Sequence, residues 1–277
     1  MDLATLDVRP TGGCGAEIRG VDAARATDAE IDLIRDTVFQ KGVAFLHGQA
    51  MSPEQHIAFA ERLGPIVVNR YFPASERYPQ IAKVEKAETQ KTNIGGGWHT
   101  DHSYDAAPAM GSVLLAIKTP PTGGDTLFAD MYAAYDALSD GFKQMLGGLK
   151  AQHAAEHVFG ETGVYRMTDR ADLAGFKDVP STVHPVIITH PGSGKKALYV
   201  NPAFTVGIVG WSPEESRNLL GFLFEHAVKP QFVHRFQWRD GSMAIWDNRA
   251  TWHQAMNDYH GHHRLMHRIT LDGGPLS

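Results

Sequence analysis

The stretch HHRLMHRITL, residues 262–271, reads as an extended strand, and the two faces of that strand decide how the rest of the chain must be arranged. Successive side chains of a strand point to opposite sides, so Arg264, Met266, Arg268 and Thr270 share one face. His263, Leu265, His267, Ile269 and Leu271 share the other. At about 3.3 Å per residue the two arginines stand roughly 13 Å apart, far enough to address two different anions rather than clamp one. A guanidinium binds a carboxylate through a planar two-pronged fork. The face is therefore either a solvated surface of ion pairs or the lining of a site for acidic ligands.

Outward from this strand, apolar runs at 112–118, 126–129, 183–189, 197–200, 232–238, 242–246 and 263–271 predict further strands. PPTGGD (120–125), PGSGKK (191–196) and RDGS (239–242) punctuate them as turns. Many short strands with such turns predict a sandwich or jelly roll. Helices interrupt the pattern within 131–149 and after Ser212-Pro213-Glu214-Glu215, where Leu219, Leu220, Leu223 and Phe224 follow. The opening third mixes both types. Thr27 and Glu30 have capping-box spacing, Ile31, Ile34 and Val38 recur at helical intervals, and Gly42 is placed to stop the helix before a strand at 43–47. Ser52, Pro53 and Gln55 start a second helix that Gly64 ends, ahead of the apolar run Pro65-Ile66-Val67-Val68. Residues 159–180, rich in Gly, Asp and Thr with weak periodicity, read as a mobile loop of the kind that forms lids. The expected class is mainly β with flanking helices. No repeat and no long linker divides the chain, so residues 1–277 are read as a single domain.

Composition narrows the function. The chain has 277 residues, 26 Lys+Arg against 31 Asp+Glu and a formal net charge of −5, which supplies no broad basic footprint for nucleic acid. The hydrophobic fraction of 43% is that of a globular protein. Its one cysteine, Cys14, forms no intrachain disulfide and no thiolate cluster, which fits a reducing compartment. The N-terminal residues MDLATLDVRPTGGCGAEIRG carry no basic segment followed by an apolar core, and no run is long and apolar enough for a membrane span. A cytoplasmic location without membrane contact is expected. The 15 histidines stand out, because imidazole is a common metal ligand.

Trp98-His99-Thr100-Asp101 offers an imidazole and a carboxylate at i and i+2, on one side of an extended chain. A second imidazole from far along the chain, such as His253 after Trp246-Asp247-Asn248-Arg249, completes two histidines and a carboxylate with neighbouring positions left open. That donor set suits iron(II) and oxygen chemistry. It also suits a zinc hydrolase or a jelly-roll sensor that holds metal without turnover.

Taken together, WHTD at 98–101, GGDT at 123–126, WDNR with His253 at 246–253, and RLMHRIT at 264–270 resemble the TauD/TfdA family of iron(II)- and 2-oxoglutarate-dependent dioxygenases, from about residue 5 to the end. The resemblance implies a double-stranded β-helix, a cupin-like jelly roll with the metal at its mouth. It implies His99, Asp101 and His253 as iron ligands and catalytic centre, and Arg264 with Thr126 as the grip on the remote carboxylate of 2-oxoglutarate. Arg268 falls where the substrate anion is bound, and Phe159 and Phe204 match aromatic pocket positions. The implied reaction consumes O2 and 2-oxoglutarate, releases succinate and CO2, and hydroxylates a small anionic substrate: a sulfonate, sulfate ester, aryloxyalkanoate or other carboxylate. The intact Asp101 favours hydroxylation over halogenation, since the superfamily's halogenases replace that carboxylate by a small residue. Dimers or tetramers are frequent in the family, so a homo-oligomer is expected.

Two departures bear on the substrate. The taurine-binding pattern has an asparagine where this chain has Gly95, and a histidine near the position of Asn69-Arg70-Tyr71. Taurine is therefore doubtful, and the run Gly95-Gly96-Gly97 removes side-chain volume and leaves room for a larger molecule. His102 and Tyr104 are candidates for the mouth of the site. Arg70 reads as a solvated loop arginine.

Overall fold

The computed structural model describes residues 6–72 and 77–276; the first five residues of the N-terminal stretch considered above lie outside it. In chain order the elements begin with β1 (Asp7–Pro10), β2 (Ala16–Arg19), α1 (Asp28–Lys41), β3 (Val43–Leu46), α2 (Pro53–Leu63), β4 (Ile66–Val67) and β5 (Ala82–Lys86). β6 (Gly111–Lys118), β7 (Thr126–Asp130), α3 (Met131–Asp136), α4 (Asp140–Leu146), β8 (Lys150–Ala154) and α5 (Glu156–Phe159) follow. Then come β9 (Ser181–Pro185), β10 (Ile187–Thr189), β11 (Lys196–Leu198), β12 (Thr205–Ile208) and α6 (Pro213–Ala227). The chain ends with β13 (Val233–Phe236), β14 (Met243–Asp247), β15 (Thr251–Ala255) and β16 (Arg264–Leu271).

Local chemistry sets the helix ends. Thr27 with Glu30, Ser52 with Gln55 and Ser212 with Glu215 all form reciprocal capping boxes, each satisfying backbone donors that the first turn leaves free. Gly42, at φ +81°, closes α1 by returning its N–H to the Val38 carbonyl.

The strands build a main sheet in the order β1-β2-β3-β14-β6-β16-β4, with β5 also paired to β16. A three-stranded sheet, β13-β7-β15, is its counterpart. Phe45, Leu114, Ala244, Trp246 and Met266 of the main sheet pack against Phe128, Phe236 and Trp238, and this shared core lies between the two sheets. On the outer face of the main sheet, Ile245, Ile269 and Leu271 pack with Ile31, Ile34 and Val38 of α1 and Phe59 and Leu63 of α2. The predicted alternation of the last strand thus holds: one face meets the helices and the other faces inward. This mainly β jelly roll with flanking helices is the expected architecture.

Some boundaries differ from the sequence reading. The run at 183–189 is two strands, because β9 pairs with β8 whereas β10 pairs with β11, and the break follows Pro185, which has no N–H to give a ladder. Residues 159–180 carry short helical turns at Val164–Met167 and Ala171–Leu173 instead of an irregular loop. Leu173 is fully buried, and the Asp169 carboxylate accepts the backbone N–H groups of Lys91 and Thr92. Among the described residues no helix is long and apolar enough to cross a membrane.

Candidate metal centre

His99 and His253 are neighbours because their backbones form an isolated antiparallel bridge. The His253 N–H donates to the His99 carbonyl at 2.8 Å, and the His99 N–H returns the bond at 3.1 Å. The Thr100 hydroxyl, on the opposite side, donates to the Asn248 carbonyl at 2.6 Å and holds the segment in place. Asp101 then faces the same way as His99. The Nε2 atoms of His99 and His253 each lie 3.7 Å from an oxygen of Asp101, and the three ligand atoms all fall within 4.8 Å of one another.

The donor chemistry fits a metal ion. His99 Nδ1 lies 2.8 Å from the Gly97 carbonyl, so that nitrogen carries the proton and Nε2 presents its lone pair toward Asp101. Burial, then the neighbouring His99, push the His253 imidazole well below its ordinary pKa, which keeps it neutral and able to donate. Burial opposes ionisation of Asp101, but the Arg268 guanidinium beside it holds its carboxyl well below the usual carboxylate range. The centre therefore presents two imidazole nitrogens and one carboxylate to a common point.

Both arginines of β16 are buried, each 5% exposed, so the solvated-face reading does not hold. Arg268 Nη1 lies 3.2 Å from Asp101 Oδ2, while its Nε and Nη2 are buried with no hydrogen-bond acceptor. Its guanidinium carbon stands 4.6 Å from the centre of the Phe72 ring. Arg264 donates from Nε to the Gly124 carbonyl at 3.1 Å, and among the described residues no carboxylate lies within ion-pair distance of it. Thr126 Oγ1 accepts from the Trp238 indole at 2.9 Å, which leaves the threonine's own O–H to donate elsewhere.

A cavity of about 330 Å³ collects these groups: His99, Asp101, His253, Thr126, Arg264 and Arg268 all line it. Phe159 and Phe204 line it too, and both are also part of a buried aromatic cluster with Tyr71 and Tyr104. Phe159 stacks on Tyr71 with centroids 4.3 Å apart, and Tyr104 meets Phe204 edge-on at 4.8 Å. Both phenylalanines thus line the cavity and pack in the core at once. Gly95, Gly96 and Gly97 form part of the wall, and so do His102 and Tyr104. Arg70 does not reach the cavity; it is half exposed and pairs with Asp105.

Two contributors differ in how the sequence presents them: His102 is a candidate for the mouth, and Tyr165 is not singled out. His102 sits at φ +59°, with Nδ1 2.9 Å from Asp105 Oδ2 and Nε2 3.3 Å from the Asn69 amide nitrogen. Tyr165 reaches back from the segment at 159–180 and accepts the Gly95 N–H at 3.4 Å. The position of His102 beside the ligand pair is what marks it in the sequence, and no comparable signal marks Tyr165. Within WDNR the roles are structural: fully buried Asp247 accepts from Arg249 and from His190 Nε2 at 2.9 Å, which fixes the turn between β14 and β15.

Comparison with known proteins gives a consistent result. The model of the family described as "Taurine catabolism dioxygenase TauD, TfdA family" matches residues 7–270. An alkylsulfatase of Acinetobacter baylyi is 35% identical over 271 residues, covering 95% of this chain and 83% of that protein. An alpha-ketoglutarate-dependent 2,4-dichlorophenoxyacetate dioxygenase of a Burkholderia species is 36% identical over 247 residues, covering 82% and 80%. Among solved structures, a taurine dioxygenase from Burkholderia xenovorans superposes with a TM-score of 0.81 at 33% identity, covering 98% of this chain and 93% of that one.

Proposed function

The chain belongs to the TauD/TfdA family of alpha-ketoglutarate-dependent dioxygenases, and from that premise we propose that it hydroxylates a small organic substrate bearing one anionic group on an apolar body. Iron(II), 2-oxoglutarate and O2 are its cofactor and cosubstrates. The observation that carries the reading is the meeting, in one cavity, of the His99-Asp101-His253 cluster with two buried guanidiniums that have donors to spare.

When bound at that cluster, iron couples the oxidative decarboxylation of 2-oxoglutarate to attack on a substrate C–H bond. The residues of the chain do the placing. Arg264 and the Thr126 hydroxyl hold the remote carboxylate of 2-oxoglutarate, since a buried guanidinium without a carboxylate partner favours an anion strongly. Arg268 grips the substrate anion through Nε and Nη2 while Nη1 stays on Asp101. Phe159, Phe204 and Tyr104 surround the apolar body and exclude water, so which carbon is hydroxylated is a matter of orientation. Where that carbon carries an ester or ether oxygen, the hydroxylated product collapses to a carbonyl compound and releases the sulfate or the phenol together with the hydroxyl proton.

The relatives differ in the anion their names specify, so identity does not choose among them; the cavity is more selective. The wall is dominated by apolar and aromatic groups, which favours sulfate esters, alkylsulfonates and aryloxyalkanoates. Taurine's ammonium would need acceptors. Gly95 has no side chain, and the Asn69 carbonyl oxygen is already taken by the Tyr71 and Phe72 N–H groups. The whole chain acts as one domain, and its assembly as a dimer or tetramer is a matter for light scattering.

Substrate-dependent succinate release, followed with O2 consumption over a panel of sulfate esters, alkylsulfonates, aryloxyalkanoates and amino acids, tests the reading. We expect succinate and O2 uptake in equal amounts, abolished by a chelator and by Asp101→Ala. Full turnover after either treatment, or hydrolysis of the ester without O2, overturns it.

A further inference from the structure

Lys86 is 2% exposed, and its Nζ is buried with no hydrogen-bond acceptor. An ammonium in that condition is expensive, because it has given up its water without receiving an oxygen in return. Its surroundings are specific. Lys86 is the cross-strand partner of Arg264 in the pairing of β5 with β16, just as Val84 partners Met266 and Ala82 partners Arg268. Residues directly opposite in an antiparallel pair project to the same face. Val84, Arg264 and Arg268 all line the cavity, so the side chain of Lys86 leaves the sheet on the cavity side, although Lys86 does not itself belong to the lining.

Lys86 Nζ lies 4.4 Å from the centre of the Tyr259 ring. The same ring packs against Gly124, whose carbonyl receives Arg264 Nε. Two buried cations thus sit on one strand pair, Lys86 over the Tyr259 ring and Arg264 with its guanidinium carbon 5.8 Å from the centre of the Trp238 ring. The nearby carboxylates are engaged elsewhere: Asp125 and Asp258 both pair with Arg235. A fold selected for stability alone would not set two like charges side by side without an acid between them.

We propose that Lys86 is a second cationic determinant of the cosubstrate site, acting with Arg264 to select a keto acid that carries a remote carboxylate. The inference rests on the assignment of Arg264 to 2-oxoglutarate made above. The cation–π contact with Tyr259 holds the ammonium in place while the site is empty, and the bound dianion supplies the negative charge that the protein withholds. Lys86 therefore weakens the ligand-free fold and strengthens the liganded one.

The test is calorimetric binding to the Mn(II)-loaded full chain, using 2-oxoglutarate and its remote carboxamide, 2-oxoglutaramate, as the two probes. Lys86→Met keeps the length and apolar stem of the side chain and removes the charge. It should weaken 2-oxoglutarate binding about tenfold, the order expected of a buried charge acting across a short distance on an anion, while changing 2-oxoglutaramate binding less than about twofold. The ligand-free protein should melt at the same temperature or higher. Lys86→Gln serves in the same way if the methionine variant does not fold. An unchanged preference for 2-oxoglutarate over the amide overturns the proposal, and so does a preference lost only in company with a lower ligand-free melting temperature. Arg264→Ala separates the two layers of the argument. If it leaves 2-oxoglutarate affinity intact, the assignment of Arg264 fails; if it removes affinity and Lys86→Met does not, only the role of Lys86 fails.

Discussion

Alanine at Gly95 and alanine at Gly97 should behave differently, although both glycines line the cavity. Gly95 adopts φ +72°, a region that costs an L-residue about 1–2 kcal/mol. A Cβ built there lies 3.0 Å from His99 Cε1 and 3.4 Å from Nε2, the nitrogen that faces Asp101. The ring must give way by a few tenths of an ångström, because the backbone at Gly95 is pinned by the Ala255 N–H at 2.9 Å and by Tyr165. Gly97 has no such constraint: its built Cβ meets nothing within 4 Å, and its φ is not left-handed. Gly95→Ala should lower the melting temperature by about 4 °C and weaken Mn(II) binding about tenfold, as expected when support around a metal-binding imidazole is disturbed. Gly97→Ala should leave stability within about 0.5 kcal/mol and metal affinity unchanged. Thermal melts and metal titration under anaerobic conditions measure both. If Gly95→Ala binds metal as the wild type does, or if the two variants lose affinity equally, the built geometry does not govern the ligand and the reasoning fails.

Two further predictions address recognition and pH. Arg264→Ala should raise the KM for 2-oxoglutarate by about tenfold or more, whereas Arg268→Ala should chiefly impair use of the organic substrate; matching effects on both would show that the strand does not divide the two anions. His56 and His153 are pushed down to about 3, in each case first by burial and then by a neighbouring imidazole, His267 for the former and His184 for the latter. Below the unfolded value near 6.5 the unfolded chain binds more protons, so stability is complete above about pH 6.5 and falls as the pH drops toward 3. Each residue should cost about 2 kcal/mol at pH 5. His56→Met should therefore flatten the decline of the melting temperature between pH 7.5 and 5, and a curve parallel to the wild type would refute the assignment.

What the sequence made legible follows from the range of the forces involved. Capping boxes and strand alternation are local, and Thr27, Ser52, Ser212 and the β16 alternation were readable because each signal is complete within a few residues. β1, β2, β5, β8, β12 and β15 were not read, since strands of four or five residues carry little periodicity, and pairing supplies what their sequence lacks. Local spacing made half of the metal cluster legible, His99 with Asp101, and the resemblance of the WDNR segment added His253. The bridge between two distant segments is what brings His253 to that pair. Tyr165 and Lys86 were out of reach, because nothing within a few positions of either residue points to the cavity.

The buried polar atoms left without partners make the last connection. His56, Ser112, His153 and Tyr199 contribute neutral orphans dispersed through the interior, but the orphaned cationic atoms belong to Lys86 and Arg268 alone among the described residues. Both come from the paired strands β5 and β16, and both face the side on which Arg264 also lies. A buried cation with donors left unmatched is costly, so the concentration of such donors on one strand pair is not a by-product of packing. The apolar face of β16 holds the sheet to α1 and α2, while its polar face leaves guanidinium donors unmatched by the protein. One strand thereby anchors the fold through Ile269 and Leu271 and lines the cavity through Arg264 and Arg268, and the alternation that permits both is the reason a one-residue slip of its register would destroy them together.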